Sequence, residues 1–185
     1  MNEARTVETY RNFELVAAPK GRSVIGAIWR GGLAHKLTGS NTGDVLIQMR
    51  TFVDDFYLNR ARSRQGPPEA NEYVAAFQKL LLTKRAPSDW GMLKANYHAP
   101  ERTITTTELA RAISFKTFRA VNLRYGLFGE AVYEHVPVEL PFDEKREKLV
   151  FTFALATGVR VDKEQWSWTL RPEVAAAMEQ LGLDA

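Results

Sequence analysis

Cysteine is absent from the 185 residues, which excludes a disulfide framework, a thiol nucleophile and a thiolate metal site. Histidine is nearly as scarce: His35, His98 and His135 stand far apart, none at a metal-ligand spacing. Long apolar runs are missing as well. Uncharged stretches such as Leu149 to Val159 fall well short of the roughly 18–20 apolar residues that span a bilayer. Residues 1–10 carry Glu3 and Glu8 and have no apolar h-region, so the expectation is a cytoplasmic chain with neither a secretory signal nor a membrane partner. One further absence is local: from Leu109 to Gly129 there is no acidic residue.

What is present is an ordinary globular balance, 45% hydrophobic and 25% charged, enough for one domain or two small ones. The net charge of +3 is unevenly spread. Residues 1–64 hold 10 basic and 6 acidic side chains, residues 65–125 hold 9 and 5, and residues 126–185 hold 6 and 11. A basic front two-thirds and an acidic tail suggest that one face meets a polyanion while another does not.

The periodicity predicts an α+β chain. Tyr10 to Ala18 alternates with period two and ends at Pro19-Lys20-Gly21, a strand and a turn. Ser23 to Arg30 and Leu33 to Leu37, joined by Gly31-Gly32, read as two further strands. Asn41 or Thr42 can cap a helix from about Gly43 to Ala61, with Val45, Met49, Phe52, Val53 and Phe56 on one face. A β-β-β-α unit over 1–65 results. Arg60, Arg62 and Arg64 then lead into Gly66-Pro67-Pro68, a boundary; the three arginines are candidate phosphate contacts or a solvated helix end.

Residues 66–185 read as mainly helical and winged-helix-like. Tyr73, Phe77, Leu80 and Leu81 form an apolar stripe, Ser88 caps a helix carrying Trp90, Leu93 and Tyr97, and Pro100 stops it. Thr105 or Thr106 with Glu108 has the form of a capping box opening the first helix of a helix-turn-helix, with Leu109 and Ile113 inward. The second helix is expected over Phe115–Gly126, with Phe118, Val121 and Leu123 toward the core. Arg119 and Asn122 are residue types suited to guanine and adenine edges, and Lys116 and Arg124 suit phosphates. A solvated helix is the competing reading. Leu149 to Leu155 and Arg160 to Thr169 predict a β-hairpin, the wing, with Trp166 and Trp168 on one face as core or, where one is exposed, as a stacking platform for a flipped or single-stranded base. Pro172 opens a last helix that Gly182 ends.

Catalytic readings find little support. Asp54-Asp55 is a paired carboxylate, but consecutive helical residues point about 100° apart. Asp143, Glu144, Lys145, Glu147 and Lys148 supply nuclease letters in what reads as a charged turn. Gly39 to Gly43 precedes a helix yet lacks the P-loop lysine, and His98 has no partner nucleophile.

Several of these residues together carry a resemblance: Met92-Leu93-Lys94-Ala95-Asn96-Tyr97-His98-Ala99-Pro100, Ile104-Thr105 with Glu108-Leu109-Ala110, Ala120-Val121-Asn122-Leu123 with Tyr125-Gly126 and Gly129, and Trp168-Thr169-Leu170-Arg171-Pro172-Glu173-Val174. Residues 88–182 thereby resemble an uncharacterised bacterial module, some of whose carriers resemble HNH restriction endonucleases. The likeness implies a DNA-reading accessory module. Residues 10–60 resemble only generically the small β-β-β-α units of antitoxin and double-stranded-RNA-binding proteins.

The resulting expectation is a non-enzymatic DNA-binding reader or accessory protein of bacterial or phage origin, without cofactor or metal. Its contact residues would be Lys116, Arg119, Asn122 and Arg124, with Arg60, Arg62 and Arg64; RNA stays open as the nucleic acid, and a homodimer is possible. The alternative is a protein-interaction module of a phage or mobile element that binds a host nuclease or defence protein through Phe52–Leu58 and Tyr73–Leu82.

Overall fold

Alternation of apolar and polar residues after Phe13 lays down strand β2 (Phe13–Lys20), with Phe13, Leu15 and Ala17 buried on one face. It pairs antiparallel with β1 (Thr6–Tyr10) and with β3 (Ser23–Trp29), which in turn pairs with β4 (Leu33–Gly39). The result is a four-stranded meander in the order β1-β2-β3-β4, one strand more than the periodicity predicts. The computed structural model describes residues 5–162 and 165–185; Glu3 of the first ten residues, and Lys163 and Glu164 of the expected second hairpin strand, lie outside the described residues.

Helix α1 (Thr42–Arg62) starts at Asn41, whose Oδ1 accepts from the Asp44 amide at 2.9 Å. Val45, Met49, Val53, Tyr57 and Ala61 recur every four residues, all buried, and cover the inner sheet face. The approach is close at Gly26 of β3, where an added Cβ would come within 2.7 Å of Val45 Cγ1 and 3.0 Å of Met49 Sδ, and at Gly39 of β4, where it would come within 2.7 Å of Val45 Cγ2.

Internal packing divides the chain into Met1–Ser63 and Arg64–Ala185. In the second unit, α2 (Ala70–Leu81) opens with a capping box between Glu69 and Glu72. The next helix, α3 (Pro87–His98), starts with Pro87 at its first position after Ala86 rather than at a Ser88 cap. Strand β5 (Thr103–Thr105) runs directly into α4 (Thr106–Ala112), because Thr105 closes a capping box with Glu108. Ser114 at φ 58° turns the chain, and Thr117 then caps α5 (Phe118–Tyr133). This helix starts later than Phe115 and passes through Gly126 and Gly129 instead of stopping at the first.

After α5 come a two-residue ladder of β6 (Phe142–Asp143) and β7 (Lys148–Leu149) and a 3-10 turn over Phe151–Ala154. The apolar run Leu149–Leu155 is therefore mostly not a strand. Thr152, Ala154 and Leu155 are buried, and the turn lies against Gly129 of α5, where any Cβ would strike the Phe151 carbonyl. The hairpin itself is β8 (Ala156–Arg160) and β9 (Trp166–Leu170). β9 also pairs with β5, so this sheet has the order β5-β9-β8, all antiparallel. Helix α6 (Pro172–Gln180) follows, with Val174, Ala175, Ala177 and Met178 buried and Gly182 beyond it at φ 62°.

Candidate nucleic-acid interface

Helix α5 is held by its inner face. Val121, Tyr125, Phe128 and Val132 are buried at helical spacing, with Phe128 edge-on to Trp90 at 5.0 Å. The Tyr125 hydroxyl donates to Asn96 Oδ1 at 2.9 Å, and Asn96 Nδ2 donates to the carbonyls of Arg102 (2.8 Å) and Trp168 (3.0 Å). One buried amide thus ties α3, the chain before β5, β9 and α5 together with all three bonds satisfied. Burial pushes the Tyr125 phenol well above its ordinary range.

A second anchor is ionic. Asp89, in the first turn of α3 and 1% exposed, accepts from Arg85 Nε at 3.0 Å and from Arg124 Nε at 2.6 Å. Two guanidiniums neutralise one buried carboxylate, and the helix N-terminus adds favourable dipole. Arg85 also lies over the Phe128 ring at 5.2 Å.

The outer face of α5 is formed by Arg119, Ala120, Leu123 and Leu127, all exposed, with exposed Lys116 just before the Thr117 cap. Leu123, expected toward the core, is 63% exposed, and Leu127 is 45% exposed. Arg111, exposed in the last turn of α4, adds another cation to the same acid-free interval.

The expected contact residues fare differently. Lys116 and Arg119 stand at the exposed N-terminal end of α5, the arginine 5.9 Å above the Phe118 ring. Arg124 is committed to Asp89. Asn122 is half-buried, and its Oδ1 is turned inward without a hydrogen-bond partner among the described residues. Arg60 and Arg62 are exposed in the last turn of α1, Arg60 lying 5.7 Å over Phe56. Arg64 falls in the second unit, where Nη1 and Nη2 grip both Glu72 oxygens (2.7 and 2.8 Å) and Nε donates to the Pro137 carbonyl at 3.1 Å. The Glu72 carboxylate raises the Arg64 pKa further. Arg64 is a clamp within its own unit, with Glu72 and the Pro137 carbonyl as its partners.

Trp168 is buried as expected, Trp166 is half-buried, and their rings stack at 5.1 Å. The alternative docking stripe is mostly consumed by the core: Tyr73, Phe77 and Leu80 are buried, as are Val53 and Tyr57. Leu81 and Leu82 remain outside, Leu82 at 89% exposure. Among the described residues no three His, Asp or Glu side chains gather as a metal group, and no helix is long and apolar enough to cross a membrane.

No family model matches the chain, and neither a curated protein nor a solved structure does.

Proposed function

We propose that the chain binds duplex DNA as a reader or accessory protein rather than as an enzyme, with the outer face of α5 in the major groove. The observation that carries this reading is the exposed cationic end of α5: Lys116 and Arg119, with Arg111 of α4, in an interval that has no carboxylate from Leu109 to Gly129. Each carboxylate there would face the phosphate charge. The element order supports the reading. Helix α3, strand β5, helices α4 and α5, then strands β8 and β9 with sheet order β5-β9-β8 is the order in which a winged-helix domain is built, with α5 as recognition helix.

Lys116 then takes a phosphate, and Arg119 a guanine edge. Arg124 acts one step back, fixing the helix through Asp89. The inward Oδ1 of Asn122 sets that residue aside as a primary contact.

A salt titration of binding to labelled duplex DNA, single-stranded DNA and RNA tests the proposal, using the wild type and a Lys116→Ala, Arg119→Ala double variant. Steep salt dependence on duplex DNA is expected, with the slope reduced by about 0.9 for each phosphate contact removed. Absence of duplex binding at about 100 mM salt, where surface charges act over about 10 Å, overturns it. The protein-docking alternative then rests on Leu81 and Leu82.

A further inference from the structure

We infer that Ala120 and Leu123 on the outer face of α5 seat a pyrimidine 5-methyl group in the major groove, that of thymine or of 5-methylcytosine. The inference rests on the DNA reading above and deepens it. Residues 120 and 123 are three apart on a helix and 123 and 127 four apart, so Ala120, Leu123 and Leu127 form one stripe. That stripe is exposed, with Leu123 at 63% and Leu127 at 45%. So little of the Leu123 side chain is covered that most of its apolar area can be removed from water only by something that binds.

The surroundings decide what binds. The stripe begins beside Arg119 and Lys116, and no acidic residue lies between Leu109 and Gly129, so the complementary surface is anionic. In a duplex the phosphates supply the anion, and the 5-methyl of a pyrimidine is the apolar group that base edges present in the major groove. Ala120 is small enough to let the helix axis approach the bases. Leu123, one turn further on and beside it, closes the other side of the methyl. Leu127 lies about 6 Å further along the axis, beyond the same base pair.

The test uses the full chain. Sites are first selected from a randomised duplex library; in the winning duplexes each thymine is then replaced by uracil, which deletes only the methyl. In a second arm cytosines are replaced by 5-methylcytosine. The expected result is about a fourfold loss of affinity per seated thymine methyl removed, or an equal gain on methylating a cytosine, and the arm that responds names the source. Leu123→Ala should flatten that preference while duplex binding persists. Because Leu123 is exposed, its unfolding midpoint should match the wild type. Duplex binding with no enriched sequence, or with equal affinity for methylated and unmethylated sites, overturns the methyl seat and leaves the DNA reading standing. No duplex binding removes both. A wild-type dimer that Leu123→Ala turns into a monomer gives the leucine to a second copy, and likewise overturns the inference.

Discussion

Arg124 of α5 and Asp89 of α3, 35 residues apart, meet at 2.6 Å, and the aspartate is shut away from water. Arg85 shares the same carboxylate from the other side. A cation in the acid-free segment therefore orients α5 instead of facing outward, and a loss of nucleic-acid binding in an Arg124 variant has a conformational route that needs no phosphate contact.

Removing the two partners should be unequal. Asp89→Ala leaves two guanidiniums facing each other in a half-buried site and is expected to cost about 3 kcal/mol in urea unfolding. Arg124→Ala leaves Arg85 in place and should cost about 1 kcal/mol. Equal losses would mean that Arg85 does not compensate.

Two glycines of α5 should respond in opposite directions to alanine. At Gly126 the nearest atom to an added Cβ is Thr152 Oγ1 at 3.8 Å, so Gly126→Ala gains helix propensity and should stabilise by up to about 1 kcal/mol. At Gly129 the added Cβ would enter the Phe151 carbonyl, and separating helix from turn should cost at least about 2 kcal/mol. Thermal unfolding of the two variants beside the wild type is enough to decide.

The Asn96 node offers a graded series. Tyr125→Phe leaves Asn96 Oδ1 buried without a donor, at an expected cost of about 1–3 kcal/mol. Asn96→Ala removes the bonds to the Arg102 and Trp168 carbonyls as well as the acceptor of the Tyr125 hydroxyl, and should cost more. Equilibrium denaturation of both variants should preserve that order.

The capping box of α4 predicts a pH effect. The Thr105 hydroxyl, and then its backbone N–H, hold the Glu108 carboxyl below the usual carboxylate range. The folded pKa is thus lower than the unfolded value near about 4.3, so the contribution is complete above that value and lost as pH falls through the folded pKa. Wild type and Glu108→Gln should diverge in unfolding midpoint at neutral pH and converge in acid. Thr105→Ala should cost about 1 kcal/mol at neutral pH.

Much of the local structure was legible because it is announced by neighbours in sequence. Asn41, Thr105 with Glu108, and Pro172 mark helix starts where the structure has them. Strand β1 is not announced in the sequence, because its turn into β2 is made by Arg11 and Asn12, at φ 44° and 53°, in the left-handed region that a glycine would signal. The run Leu149–Leu155 looks like a strand by composition, yet its fate is decided by Gly129, a distant residue against which it folds into a 3-10 turn. The candidate interface was readable as charge but not as geometry. Nothing near Arg124 or Arg64 in sequence says that Asp89 holds the first and that Glu72 and the Pro137 carbonyl hold the second. The apolar side chain of Leu123 predicts an inward position, whereas the helix phase set by Val121, Tyr125 and Phe128 turns it out.

The three bonds of Asn96 have a mechanical meaning as well as an energetic one. They join the hairpin strand β9, helix α5 and helix α3 through a single planar group whose orientation none of them can change alone. A force applied to β9 is therefore felt at Tyr125, in the middle of α5. Hydrogen exchange at the amides of α5 and β9 should consequently open in one step, because the two elements are tied at a point where neither can hinge without the other.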